Sequence, residues 1–190
     1  MDLINVTAAL PESVLLPFAV WFFGVACFYL YRGLFPESVK AVYGYSDLEN
    51  EFGHGLCALA MVPMLAPMLL PIPNFVFTVA LSVTALYFTA RALTWGKRVP
   101  YATRWWWDWA HVGMLGGMAV MYAGVHFMPL SVGLSLFWLW LTGYYIYEFC
   151  HDFKSRSLFY IGSDLAHATM GGVMLVMSIA PSLFMAHMSM

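Results

Sequence analysis

The chain has 190 residues, 62% hydrophobic and only 9% charged, with a formal net charge of −2. A soluble domain carries roughly 25% charged residues, so this composition excludes a water-facing globular surface, and no basic stripe offers a nucleic-acid footprint. The length suits one domain, 1–190, made of apolar stretches of about 20 residues, long enough to cross a bilayer as helices.

Six such stretches follow one another with short polar joints. The first, 13–35, is preceded by the acidic Asp2 and Glu12 and lacks a basic leader with a small-residue cleavage site, so it reads as a retained helix and not a signal peptide. The second, 50–70, opens on Glu51 and His54, and the third, 74–95, follows Pro71 and Pro73. The fourth, 105–127, starts in Trp105-Trp106-Trp107, which with Trp95 reads as an aromatic belt at the membrane interface. The fifth and sixth, 129–149 and 160–184, are bounded by Pro129 and Pro181, at ends where a missing N–H costs little. Cys27, Cys57 and Cys150 lie at no short regular spacing, so neither a disulfide framework nor a zinc knuckle is expected.

All eight basic residues fall on one side of this layout: Arg32 and Lys40, then Arg91, Lys97, Arg98 and Arg104, then Lys154 and Arg156. The joints around Pro71-Pro73 and His126-Pro129 have none. Basic loops stay cytoplasmic, so both termini are expected outside, and the chain reads as a multi-pass integral protein of a bacterial inner (plasma) membrane.

The most informative feature is an internal repeat. The even-numbered spans carry one ladder anchored on a histidine, His54, His111 and His167, at a spacing of 57 and then 56 residues. Three positions earlier stand Glu51, Asp108 and Asp164; three later, Cys57, Met114 and Met170; seven later, Met61, Met118 and Met174; ten later, Met64, Met121 and Met177. The odd spans end on related segments, Phe28-Tyr29-Leu30-Tyr31-Arg32, Tyr87-Phe88-Thr89-Ala90-Arg91 and Tyr144-Tyr145-Ile146-Tyr147-Glu148. The repeated unit is therefore a helical hairpin, about 13–70, 74–127 and 129–184. The expected fold is an all-α membrane protein of six transmembrane helices, three repeated hairpins related by pseudo-threefold symmetry.

Steps of three and four residues keep each ladder on one helical stripe, and the stripe climbs about 20 Å at 1.5 Å per residue. Three inward stripes would stack rings of carboxylates, imidazoles and sulfurs. Thioether, thiol and imidazole suit Cu(I), which accepts few, soft ligands, and successive sites one turn apart would let the ion step inward. The metal-binding set is thus Glu51, His54, Cys57, Met61, Met64, Asp108, His111, Met114, Met118, Met121, Asp164, His167, Met170, Met174 and Met177. Met185, His187, Met188 and Met190, with His126 and Met128, would gather copper outside, and Cys150-His151 would pass it on inside.

This layout resembles the high-affinity eukaryotic copper transporter family, in which a threefold axis carries methionine rings near the outside and a histidine/cysteine end within; the resemblance implies copper transport. The segments Ala58-Leu59-Ala60-Met61-Val62-Pro63-Met64, Gly117-Met118-Ala119-Val120-Met121-Tyr122 and Gly172-Val173-Met174-Leu175-Val176-Met177 also resemble those of actinobacterial Met-rich multi-span proteins, a likeness that implies no activity.

Four other readings compete. Methionine fills gaps in packed helices, but eight of the fourteen methionines landing on equivalent rungs is more register than gap-filling asks for. An accessory subunit of a larger respiratory or copper-enzyme complex would explain the very short joints; its partners would be other membrane subunits, a copper chaperone or a copper enzyme within the lipid bilayer. Two imidazoles at one depth would also suit a haem-binding electron carrier. No nucleophile motif or phosphate loop marks an enzyme, leaving a metalloenzyme built on the His ring as the remaining catalytic alternative.

Overall fold

The computed structural model describes residues 10–37, 40, 47–94, 104–125, 127–152 and 158–180. Within them the chain forms six α-helices and no strand: α1 Glu12–Leu34, α2 Leu48–Leu65, α3 Asn74–Thr94, α4 Arg104–Tyr122, α5 Met128–Asp152 and α6 Leu158–Ile179. Three of them, Glu12–Leu34, Asn74–Thr94 and Met128–His151, are long and apolar enough to cross a membrane. The ladder helices α2, α4 and α6 are not among these three, because their acids and histidines lower the apolarity of otherwise greasy segments.

Two ladder helices stop earlier than hydropathy alone predicts, and local chemistry explains each. Helix α2 ends at Leu65 rather than 70. The residue before a proline is pushed out of the helical region, and Ala66 precedes Pro67; Ala66 still donates to the Val62 carbonyl (2.8 Å), then Leu69 turns back onto the Ala66 carbonyl (3.0 Å). Helix α4 ends at Tyr122 rather than 127. Gly124 takes the left-handed conformation (φ 66°), its N–H donates to Met121 O (3.1 Å), and Val125 N–H donates to Val120 O (3.2 Å). This pair of bonds is a Schellman stop, which glycine alone accepts without a Cβ penalty.

Two compact units emerge from the packing. The α3–α4 unit holds 24–60 and 72–127, so it takes the C-terminal part of α1 and most of α2 along with α3 and α4. Helix α3 packs along α4 and buries Phe77, Leu81, Ala85, Phe88 and Ala92, a helical stripe of steps of three and four. Its opposite face, Val76, Val79, Val83 and Leu86, is exposed and apolar, as lipid contact requires. Thr78, Thr84 and Thr89 each turn their hydroxyl onto the carbonyl four residues back (3.1, 2.8 and 2.8 Å), which satisfies a polar group without leaving the helix. Tyr122 stacks on Phe77 with centroids 5.2 Å apart and donates its hydroxyl to the Ala60 carbonyl.

The α5–α6 unit holds 1–23, 61–71 and 128–190, of which the described residues include the start of α1, the end of α2, and α5 and α6. Its core is Leu15, Ala19 and Phe22 with Trp138, Leu141, Met170 and Met174. Helix α5 approaches α6 closely at Gly171, where an added Cβ would sit 2.6 Å from the Thr142 hydroxyl and 3.4 Å from its backbone nitrogen. Small residues at such crossings let membrane helices come together. Two turns along this seam, Ser135 and Ser178 share a hydrogen bond (2.9 Å), and the Trp21 indole of α1 donates to Thr169 of α6 (3.0 Å).

Candidate functional site

The ladder residues are predominantly turned into protein. Cys57 and the eight methionines at rungs three, seven and ten are all buried, none more than 8% exposed. Unbranched thioethers on a helix surface would have met lipid at no cost, so burial at every rung is a property of the stripe and not of one favoured site. His111, His167, Glu51 and Asp108 are also buried, while His54 and Asp164 are half-buried.

Each histidine lies against the second residue of the related odd-helix segment. In the α3–α4 unit Tyr29 stacks on His54 (centroids 4.9 Å, 30°) and Phe88 on His111 (4.6 Å, 12°). In the α5–α6 unit Tyr145 stacks on His167 (4.1 Å, 11°). Sequence reasoning finds the echo between the three aromatic segments but not the contact, since only packing brings residue 88 to residue 111. His54 and His111 in turn contact each other, with centroids 4.4 Å apart and planes tilted by 52°, so Tyr29, His54, His111 and Phe88 make a continuous column of four rings.

The tautomers of two histidines follow from the helix backbone. His111 Nδ1 lies 2.7 Å from the Trp107 carbonyl and His167 Nδ1 lies 2.7 Å from the Ser163 carbonyl. A carbonyl only accepts, so Nδ1–H is the donor, and the bond fixes the ring's orientation while a neutral ring keeps its lone pair on Nε2. His111 Nε2 is buried and has no hydrogen-bond partner.

The acids three residues earlier have arginine partners in the α3–α4 unit. Arg32 Nη2 donates to Glu51 Oε1 (2.7 Å), and Arg91 donates through Nε to Asp108 Oδ1 (3.1 Å) and again through Nη2. Arg91 also reaches Asp47 through Nη1 (3.1 Å) and Asn50 through Nη2 (2.6 Å), and lies over the Phe88 ring at 4.6 Å. Spacing alone assigns Glu51 and Asp108 to a carboxylate ring; the structure instead occupies one oxygen of each with a guanidinium. Asp47 and Asn50 are missed by sequence reading, although Asp47 stands one turn before Glu51, whose N–H donates to the Asp47 carbonyl (3.1 Å). In the third hairpin the residue in register with Arg32 and Arg91 is Glu148, and the acid on α6 is Asp164.

Among the described residues no three side chains from His, Cys, Asp and Glu come together as a metal-ligand set. Cys150 and His151 are exposed. Residues His126, Met185, His187, Met188 and Met190, assigned to copper capture, lie outside the described residues, as do Trp95, Lys97, Arg98, Lys154 and Arg156 and the side chains of Arg104 and Trp105.

These features define an all-α protein with helices long and apolar enough to cross a membrane, whose ladder histidines are held by aromatic stacking and two of whose ladder acids, Glu51 and Asp108, are held by buried arginines. No family model matches the chain, and no curated protein or solved structure matches it either.

Proposed function

We propose that the chain is a Cu(I)-binding, multi-pass protein of a bacterial inner membrane, acting as a transporter or intramembrane relay. In this reading six spans form three hairpins about a pseudo-threefold axis, with both termini outside. Support for six spans comes from the 57- and 56-residue repeat, because α2, α4 and α6 carry matched ladders and each follows an apolar partner helix. The observation that carries the proposal is the burial of Cys57, Met61, Met64, Met114, Met118, Met121, Met170, Met174 and Met177 while Val76, Val79, Val83 and Leu86 of α3 face outward. A stripe whose soft, polarizable atoms avoid lipid on every helix that bears it suits a soft ion in low coordination.

Copper per chain, measured in protein purified under reducing conditions, tests this reading. Wild type should retain Cu(I), and Met118→Leu with Met174→Leu should lower the retained copper at least severalfold. Absence of copper from wild type, or an unchanged content in the double variant, refutes it. Haem is disfavoured by the His54–His111 contact, since a bis-imidazole haem needs its two rings on opposite faces of a porphyrin, and centroids 4.4 Å apart leave no room for one.

A structural subunit of a larger membrane complex is the second reading, and Arg91 favours it. Its bonds to Asp108, Asp47 and Asn50 stabilise acids of the ladder with no metal involved. Gentle detergent extraction separates the two: a chain that migrates alone and moves copper in vesicles is not an obligate subunit.

A further inference from the structure

The seams of the second and third hairpins bury different chemistry. On α5 the stripe turned to α6 runs in steps of three and four residues through Ser135, Trp138, Thr142 and Tyr145. Ser135 meets Ser178 (2.9 Å), the Thr142 hydroxyl lies against Gly171, and Tyr145 stacks on His167. The stacking rings Phe88 and Tyr145 stand 57 positions apart, so the matching stripe on α3 is Thr78, Leu81, Ala85 and Phe88. Thr78 is the one polar member there, and its hydroxyl donates to the Asn74 carbonyl (3.1 Å).

Two groups of the α5 stripe are unpaired. Trp138 is 0% exposed and its Nε1–H has no hydrogen-bond partner, nor has the buried Thr142 Oγ1. Thr78, Thr84, Thr89 and Thr94 each bond the carbonyl four residues back, as a threonine within a helix commonly does. Thr142 does not; its Oγ1 is turned to α6, where a Cβ on Gly171 would come within 2.6 Å of it. Residues four apart are neighbours on a helix surface, so an N–H donor and a hydroxyl stand side by side in the α5–α6 core. An indole N–H has no lone pair for a metal ion, whereas a small molecule that both accepts and donates satisfies the two groups together.

We propose that the α5–α6 seam is a water-binding polar track, with one water accepting from Trp138 Nε1–H and donating to Thr142 Oγ1, and that the α3–α4 seam is dry. Internal waters settle where about two to four polar partners converge, and the half-buried Ser135–Ser178 pair continues the track one turn toward the Met128 end of α5. At the matching positions Leu81 and Ala85 offer a water nothing to bond. The inference stands on the α5–α6 unit and does not require copper.

Cysteine accessibility in the full chain, kept in membranes, tests the track. Thr142→Cys, Ala85→Cys and Leu139→Cys are treated with a small cationic methanethiosulfonate, which reacts with thiols that water reaches, and the modified peptides are read by mass spectrometry. Leu139 is 56% exposed on the outer face of α5, so it controls for exposure to lipid alone. Thr142→Cys should react severalfold faster than either of the others. In the wild-type chain, the Trp138 indole N–H signal, assigned by its loss in Trp138→Phe, should show a nuclear Overhauser contact to water. Comparable rates at 142, 85 and 139, no reaction at 142, or an indole without the water contact overturns the proposal, and the labelling decides even where Trp138→Phe fails to fold. Each of these outcomes leaves the copper reading to its own test.

Discussion

In the α3–α4 hairpin the residue one turn beyond the stacking ring is Arg91, which holds Asp108 and Asp47 inside the protein; in the α5–α6 hairpin the same register position is Glu148, and the acid on the ladder helix is Asp164. The ring on the histidine is kept in both, Phe88 on His111 and Tyr145 on His167, and so is the Nδ1–H bond to the carbonyl four residues back. What differs is how each hairpin is closed. The first relies on a buried ion-pair network, the second on close packing of Gly171 against Thr142 and on the Ser135–Ser178 bond. The stack and the oriented imidazole are thus common to both hairpins, and the arginine is not. A buried pair contributes little net stability against an apolar substitute, yet is costly to break by halves; in the third hairpin the arginine position has changed and the ladder acid, Asp164, is kept.

The largest expected effect probes the ion pair. Arg91→Leu removes the guanidinium that neutralises the buried Asp108 and should cost about 3–5 kcal/mol, measured by thermal or denaturant unfolding in detergent. Glu148→Leu at the matching position should cost less than about 1 kcal/mol, in the range of substitutions that break no buried pair. Equal losses at the two sites would erase the contrast between the hairpins.

The shared stack comes next. Phe88→Ala and Tyr145→Ala should each destabilise by about 2–4 kcal/mol, as expected for truncating a large buried ring, and the two values should agree more closely than those of the first pair. A loss confined to Phe88→Ala would mean that the Tyr145–His167 contact carries no energy.

Packing gives the third effect. Gly171→Ala forces Thr142 to move and should cost about 1–3 kcal/mol, whereas Gly116→Ala, with nothing within 4 Å of the new Cβ, should be neutral or gain up to about 1 kcal/mol from helix propensity. Adding Thr142→Ala should return most of the Gly171→Ala loss, and a double-mutant cycle reads the coupling directly. Additive effects would place the cost elsewhere.

The smallest effect sharpens the comparison most. Glu148→Arg writes the second hairpin's register into the third and should stabilise by about 0.5–1 kcal/mol, in the range of a partly exposed ion pair. Asp164→Asn should abolish that gain. A gain that survives Asp164→Asn would show that Arg at 148 pairs with something other than the ladder acid.

The sequence by itself determined the helices, their order, the aromatic echoes on α1, α3 and α5, and the ladder on α2, α4 and α6. Side chains three and four residues apart share a helical face whatever the helix packs against, so a stripe is a local property and can be read in one dimension. Helix ends were less legible, because Pro67 and Gly124 act through local backbone preferences that hydropathy ignores. Tertiary structure alone decided which groups meet. Nothing in the spacing of Arg91 brings it to Asp47, 44 residues earlier, or sets the rings of His54 and His111 4.4 Å apart. Pairing depends on how two helices are rotated and shifted against each other, and that is settled by the summed packing of many side chains such as Phe88, Gly53 and Tyr122, no one of which carries the information alone.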